Sequence, residues 1–186
     1  MPELLHATHF GNAILRGNMR KLTPKKILSD EIQLLIKNMY YTLREKQYGV
    51  GIAAPQIGIP IALSVIGIKP TPTRPHLKPF NTVLINPIIV ETFGEEEEMW
   101  EGCISSGEGD NTLYAKVPRF EKVRLQWLDE NAKEHSEVLE GFVAHVAQHE
   151  TDHLNGILFV DRVKDTKTYM LADEYKKLMD QEKTAS

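Results

Sequence analysis

The sequence predicts an α+β fold in which antiparallel strands and hairpins pack around a central helix carrying His149-Glu-Thr-Asp-His153, with one helix before it and one after. Three observations predict it. Apolar residues recur at helical spacing after Asp30, through 141–154 and after 170. Alternating or continuous apolar runs at 61–68, 82–93 and 122–128 mark strands. Gly, Pro, Asn and Asp clusters separate these segments. A chain of 186 residues suits a single catalytic domain, 1–186, at roughly 150 residues per domain. No internal repeat or long linker divides it.

Residues 1–27 mix polar and apolar types with Gly11, Gly17 and Pro24, and read as an irregular N-terminal arm laid over the domain. A helix follows. Asp30 with Gln33 three residues later has the form of a capping box. Ile32, Leu35, Ile36, Met39 and Leu43 then form one apolar stripe, running to about Lys46. Tyr48 to Gly58 is a Gly- and Ala-rich turn, and 61–68 (IALSVIGI) a buried strand. The segment 69–79 holds four prolines and reads as an exposed loop. Residues 82–93 form a strand interrupted at Asn86-Pro87. A proline has no N–H for the ladder, so an edge position or a bulge is expected there. Residues 122–128 alternate, Asp129 to Asn131 turn, and 133–140 return as a hairpin partner. A helix from about Gly141 to Leu154 ends before Gly156, a natural C-terminal glycine. Leu171, Tyr175, Leu178 and Met179 mark a C-terminal amphipathic helix within 166–186.

Composition excludes several classes. Hydrophobic residues make up 41% and the formal net charge is −4, so the chain is globular and carries no electrostatic case for a nucleic-acid surface. The single cysteine, Cys103, cannot form an internal disulfide. The N-terminus lacks a basic region followed by an apolar run, and no stretch approaches ~18 uninterrupted apolar residues, so neither a signal peptide nor a membrane span is expected. The expected compartment is the cytoplasm, or an organelle if a transit peptide has been removed.

His149-Glu-Thr-Asp-His153 carries the most chemical information. Residues four apart share a helix face, so both imidazoles can grip one metal ion while Glu150 reaches a water beside it. Such a motif also arises by chance on polar surface helices. Here the helix lies among apolar residues and needs some means of satisfying its polar groups. Two histidines leave a metal under-coordinated. Cys103, in Trp100-Glu-Gly-Cys-Ile-Ser105, is the candidate third ligand, although a lone cysteine is more often a small buried apolar residue. One Cys and two His leave a position open, the layout of a catalytic site. Phe142, His145 and Val146 precede His149 by seven, four and three residues and share its face. Three histidines, 145, 149 and 153, therefore stack on one stripe, but a rigid helix cannot easily aim three ligands spread over eight residues at one ion, so His145 is read as a wall residue. Glu95 to Glu98 reads as a solvated face beside a strand.

Three segments together resemble peptide deformylase: Gly49-Val-Gly-Ile-Ala-Ala-Pro-Gln56, Glu101-Gly-Cys-Ile-Ser105 and Gln148-His-Glu-Thr-Asp-His153. The resemblance spans about residues 25–165. It implies removal of the N-formyl group from the initiator formyl-methionine of nascent polypeptides, by attack of a metal-held water on the formamide carbonyl. It implies Cys103, His149 and His153 as metal ligands, Glu150 as general acid/base, and Gln56 with the Ile104 N–H as oxyanion donors. It places Val50, Gly51, Glu101 (by its stem), Phe142, His145 and Val146 around the substrate's first side chain. One divalent metal is implied, iron(II) physiologically. The donor set suits zinc and also accepts nickel or cobalt. The partners implied are formylmethionyl nascent peptides, with transient ribosome contact and no specific nucleic-acid or membrane site.

The chain departs from the family pattern after Ser105. Ser106-Gly-Glu-Gly-Asp-Asn-Thr112 replaces the usual aliphatic residue and proline, and no arginine precedes Arg119 in this longer loop. That bears on recognition of the peptide backbone beyond the first residue. Neither this loop nor the Pro-rich segment has an assigned role. Another zinc hydrolase with the same helical motif would explain 149–153 but not the other two segments. A silent peptide-binding relative would not need Glu150.

Overall fold

The computed structural model describes residues 2–46, 49–71 and 75–185, with side chains through Glu182. Tyr48 of the Gly/Ala-rich turn, and Pro72, Thr73 and Arg74 of the Pro-rich segment, lie outside the described residues. The architecture is α+β. Strands β1 (Gly51–Ala53), β2 (Leu63–Ile68), β3 (Phe80–Gly102), β4 (Leu113–Leu128) and β5 (Glu134–Glu140) form one antiparallel sheet in sequence order, and β6 (Met170–Leu171) pairs with β4. The helices are α1 (Pro24–Ile27), α2 (Asp30–Lys46), α3 (Gly141–Leu154) and α4 (Ala172–Ala185). Among the described residues, no helix is long and apolar enough to cross a membrane.

The continuous apolar run of β2 reflects burial of both its faces. Leu63 and Val65, with Val83 and Ile85 of β3, pack against the α2 stripe of Ile32, Ile36, Met39 and Leu43. Ile66, Ile68 and Leu84, one residue out of phase, pack with Val123, Leu125 and Leu139 against Ala144, Val146 and Ala147 of α3. Period-two alternation thus places α2 and α3 on opposite faces of β2 and β3.

Several sequence expectations shift. The arm is not irregular throughout: Ala13–Arg16 is a 3₁₀ turn and α1 a short helix capped by Thr23 and started by Pro24. Asp30 is a first-turn residue of α2 and not its cap. The Ser29 carbonyl accepts the Gln33 N–H, and the Gln33 side chain donates to the Ile27 and Glu130 carbonyls. β3 is far longer than 82–93 and lies inside the sheet, between β2 and β4. Pro87 is tolerated there because it falls in a register shift between Ile85 and Ile88, with Asn86 at φ +52°. Asn86 is held by the Leu22 backbone, which donates to Oδ1 at 2.9 Å and accepts from Nδ2 at 2.8 Å. Glu95 to Glu98 are exposed but belong to β3 itself. At the C-terminus a 3₁₀ turn and β6 precede α4, so Leu171 is a strand residue. α3 has the predicted bounds, with Gly156 beyond it at φ +72°.

Candidate metal centre

Three elements meet at one end of α3. The first is β1 with the 3₁₀ turn Ala54–Ile57, the second is the loop leaving β3 at Gly102, and the third is α3. The N-terminal arm ties the first two together, since Thr8 N–H donates to the Gln56 carbonyl at 2.7 Å and Phe10 N–H to the Ser105 carbonyl at 2.8 Å.

Cys103, His149 and His153 converge. His149 Nε2 and His153 Nε2 are 3.1 Å apart, and Cys103 Sγ lies 3.3 Å from His153 Nε2. The three donor atoms lie within 4.8 Å of one another. Metal–nitrogen bonds of about 2.0–2.1 Å and a metal–sulfur bond of about 2.3 Å put tetrahedral donors roughly 3.3–3.6 Å apart, so the residues fit one ion. His145 does not join them. Its Nε2 lies 2.7 Å from Glu101 Oε1, and neither ring nitrogen makes an aligned hydrogen bond.

The Glu101 carboxylate occupies the space behind His149. Its Oε2 is 2.6 Å from His149 Nδ1, which leaves Nε2 directed at Cys103 and His153. Sequence reasoning placed only the stem of Glu101, at the edge of a pocket. In the structure the carboxylate itself is buried among His145, His149 and Arg119. Arg119 Nε donates to Oε1 at 2.7 Å and its far nitrogen to Oε2 at 3.1 Å. The same guanidinium pairs with Asp152, which also receives Arg162. Arg119 is 4% exposed. It therefore does not substitute for the substrate-facing arginine missing from the longer loop. The roles of Arg119 and Asp152 were missed from sequence. The available signals were a cation within an apolar strand and an acid inside the helical motif.

Charge follows from this packing. Burial alone would raise the Glu101 carboxyl, but His149, His145 and Arg119 hold it well below the usual carboxylate range. Burial opposes a charged His149, yet Glu101 and Cys103 raise its pKa well above the usual imidazole value, and a divalent cation at Nε2 would displace that proton. Burial, with His149 adjacent, pushes His153 well down and leaves it a neutral donor. Burial pushes Glu150 up to about 7, with His149 opposing and Glu101 assisting. Glu150 Oε2 has no hydrogen-bond partner among the described protein atoms. Gly51 packs directly on the Glu150 carboxylate, and a Cβ there would overlap it.

Gln56 is 2% exposed and its amide is oriented. Ala53 N–H donates to Oε1 at 2.8 Å, which turns Nε2 toward Cys103 Sγ at 3.2 Å and Ser105 Oγ at 3.3 Å. Ile104 follows Cys103 directly and packs its side chain against the α2 layer. Val50, Phe142 and Val146 share the α3 apolar layer.

Comparison with known proteins supplies the family. The family model for polypeptide deformylase matches residues 5–169. The peptide deformylase of Leptospira biflexa is 39% identical over 163 residues, covering 86% of this chain and 87% of the relative. That of Aquifex aeolicus is 40% identical over 170 residues, covering 91% and 94%. The Met-Ala-Ser-bound class I type b peptide deformylase from Acinetobacter baumannii superposes with a TM-score of 0.80 at 33% identity, covering 88% of this chain and all of that one. The actinonin complex of the Synechococcus elongatus peptide deformylase gives 0.75 at 37% identity, covering 88% and 81%. The chain belongs to the polypeptide deformylase family and is a metal-dependent hydrolase of N-formylated peptides.

Proposed function

We propose that this enzyme, acting as one catalytic domain, removes the formyl group from formylmethionyl nascent peptides. Cys103, His149 and His153 hold one divalent metal and Glu150 carries the proton. The observation that supports this most directly is the placement of the buried Glu150 side chain, whose Oε2 has no hydrogen-bond partner among the described protein atoms, next in sequence to His149 of a convergent Cys-His-His set. Iron(II) is the physiological metal on this reading, with zinc, nickel or cobalt able to occupy the same donors. When bound, such an ion would lower the pKa of a water to about 7 and polarise the formyl carbonyl.

The chain's own residues do the rest. Glu150 takes a proton from the attacking water and returns it to the amine nitrogen as the C–N bond breaks, and formate leaves. A carboxylate serves both halves of that transfer, as base toward the water and then as acid toward the leaving amine. The oriented Nε2 of Gln56 and the N–H of Ile104 donate to the carbonyl oxygen as it becomes anionic. Loss of one such donor typically costs about 10²–10³ in rate. Val50, Phe142 and Val146, with the backbone at Gly51, form the wall against which the methionine side chain packs. His145 stands at its edge, turned toward Glu101.

Glu150→Gln tests the reading. The variant should retain one metal per chain and lose about 10²–10⁴ in kcat on a formyl-methionyl peptide. Near wild-type kcat would exclude the proton-transfer role. An acetyl-methionyl peptide should be a far poorer substrate, because the site need accommodate only hydrogen on the carbonyl carbon.

A further inference from the structure

The face of β3 opposite the site is buttressed by the C-terminal segment. Gly102 and Tyr114 are cross-strand partners, and the Tyr114 ring lies flat on the glycine. A Cβ at Gly102 would sit 2.5–2.8 Å from three ring carbons. Behind Tyr114 stands Tyr175 of α4, stacked with centroids 4.4 Å apart and planes within 10°. Trp100, two residues before Gly102, meets Tyr175 at 5.4 Å. β6 adds backbone pairing at Leu113 and Tyr114, and Lys176 Nζ reaches Asp110 Oδ1 at 2.7 Å. The loop between these anchors closes on the cysteine. Ser106 N–H and Oγ both donate to the Cys103 carbonyl, at 2.9 and 2.7 Å, and Leu113 N–H donates to Ser106 Oγ at 3.2 Å.

Cys103 is therefore held on two sides. Toward α3 lie the histidines and Gln56. Away from α3, a strand glycine with no side chain of its own depends on Tyr114 to fill the space behind it. Glycine leaves backbone freedom at the residue before the sulfur donor. Stacking against Tyr175 removes that freedom from the far side, because the Tyr114 ring cannot retreat while α4 is docked. Offset stacked rings attract beyond their buried area, so the contact resists sliding.

We propose that Tyr175 is a positioning residue for the metal-holding loop: through Tyr114 it fixes the Gly102 backbone, and so the place of Cys103 Sγ relative to His149 and His153. The inference rests on the reading of Cys103 as a metal ligand. It gives the longer loop after Ser105 a mechanical role, because Asp110 and Leu113 within and after it are the points the C-terminal segment grips.

The test uses full-length enzyme loaded with cobalt(II), whose thiolate charge-transfer band reports the Cys103 bond. Its decay in excess chelator gives the release rate. Partners of metal ligands typically alter affinity by about 10–100-fold, so Tyr175→Leu should release cobalt at least about tenfold faster than wild type. Tyr175→Phe keeps the stacked ring and should release cobalt more slowly than Tyr175→Leu. Leucine retains apolar volume at the helix surface, and thermal midpoints measured in parallel separate loop loosening from unfolding. Wild-type release by Tyr175→Leu would overturn the proposal, as would equally fast release by the Phe and Leu variants. A wild-type protein lacking the thiolate band, or one whose band survives Cys103→Ser, would overturn the ligand reading instead, whatever the Tyr175 variants do.

Discussion

Glu101 Oε2 lies 2.6 Å from His149 Nδ1, while Glu101 Oε1 lies 2.7 Å from His145 Nε2, so one buried carboxylate touches two histidines of α3 a single turn apart. Only His149 also faces Cys103 and His153. The carboxylate accepts from Nδ1 and so selects the ring orientation that directs Nε2 toward Cys103 and His153.

Glu101→Gln keeps the volume and removes the charge. Metal affinity should fall about 10–100-fold, measured by competition with a chromogenic chelator. Wild-type affinity would show that packing alone orients His149.

Arg119 joins Glu101 to Asp152 across the back of the site and is nearly inaccessible. Arg119→Met should cost about 3–5 kcal/mol in urea unfolding, because it takes the guanidinium away from the buried Glu101 and Asp152 carboxylates. Asp152 retains Arg162, so Glu101 bears most of the loss. Arg119→Lys restores the charge but not the fork of donors, and should recover only part of the stability. A cost under about 1 kcal/mol for the methionine variant would contradict this account.

Gly51→Ala puts a methyl group where the Glu150 carboxylate now lies. Either β1 or the carboxylate must shift, and a displacement of about 1 Å can cost roughly 10²-fold in rate. The expected result is a fall of about that size in kcat with metal content intact. Full kcat would mean that Glu150 acts from a different rotamer.

Away from the site, Asp129 in the β4–β5 turn accepts from Asn131 N–H at 2.8 Å and Lys133 N–H at 2.9 Å, and lies 2.9 Å from His135 Nε2. Partial burial opposes ionisation, but the His135 contact and the two N–H donors hold the carboxyl below its ordinary value. A depressed carboxyl stabilises the fold above its unfolded pKa, about 3.9, and that contribution disappears as pH falls through the lower folded value. Asp129→Asn should therefore lower Tm by about 2–4 °C per kcal/mol lost at pH 7, with the gap to wild type closing below about pH 4. A gap that stayed constant down to pH 3 would assign the loss to hydrogen-bond geometry and not to charge.

The sequence by itself determined the local features of the protein. The bounds of α3, the shared face of His149 and His153, the buried run of β2 and the 129–131 turn all follow from periodicity and turn chemistry within about a dozen residues. Cys103 was legible as a candidate third donor because it is the single cysteine, and the structure brings its Sγ beside both histidines. Only the tertiary structure decided what stands around these groups. Asn86-Pro87 interrupts an inner strand because the Leu22 backbone, 64 residues away, satisfies the asparagine. Arg119 turns inward because Glu101 and Asp152, 18 and 33 residues distant, meet it there. Burial pushes the Glu150 carboxyl up to about 7, and the backbone of Gly51, about a hundred residues earlier, packs directly on it. Desolvation and charge pairing are set by which distant segments come into contact, and spacing along the chain does not record that.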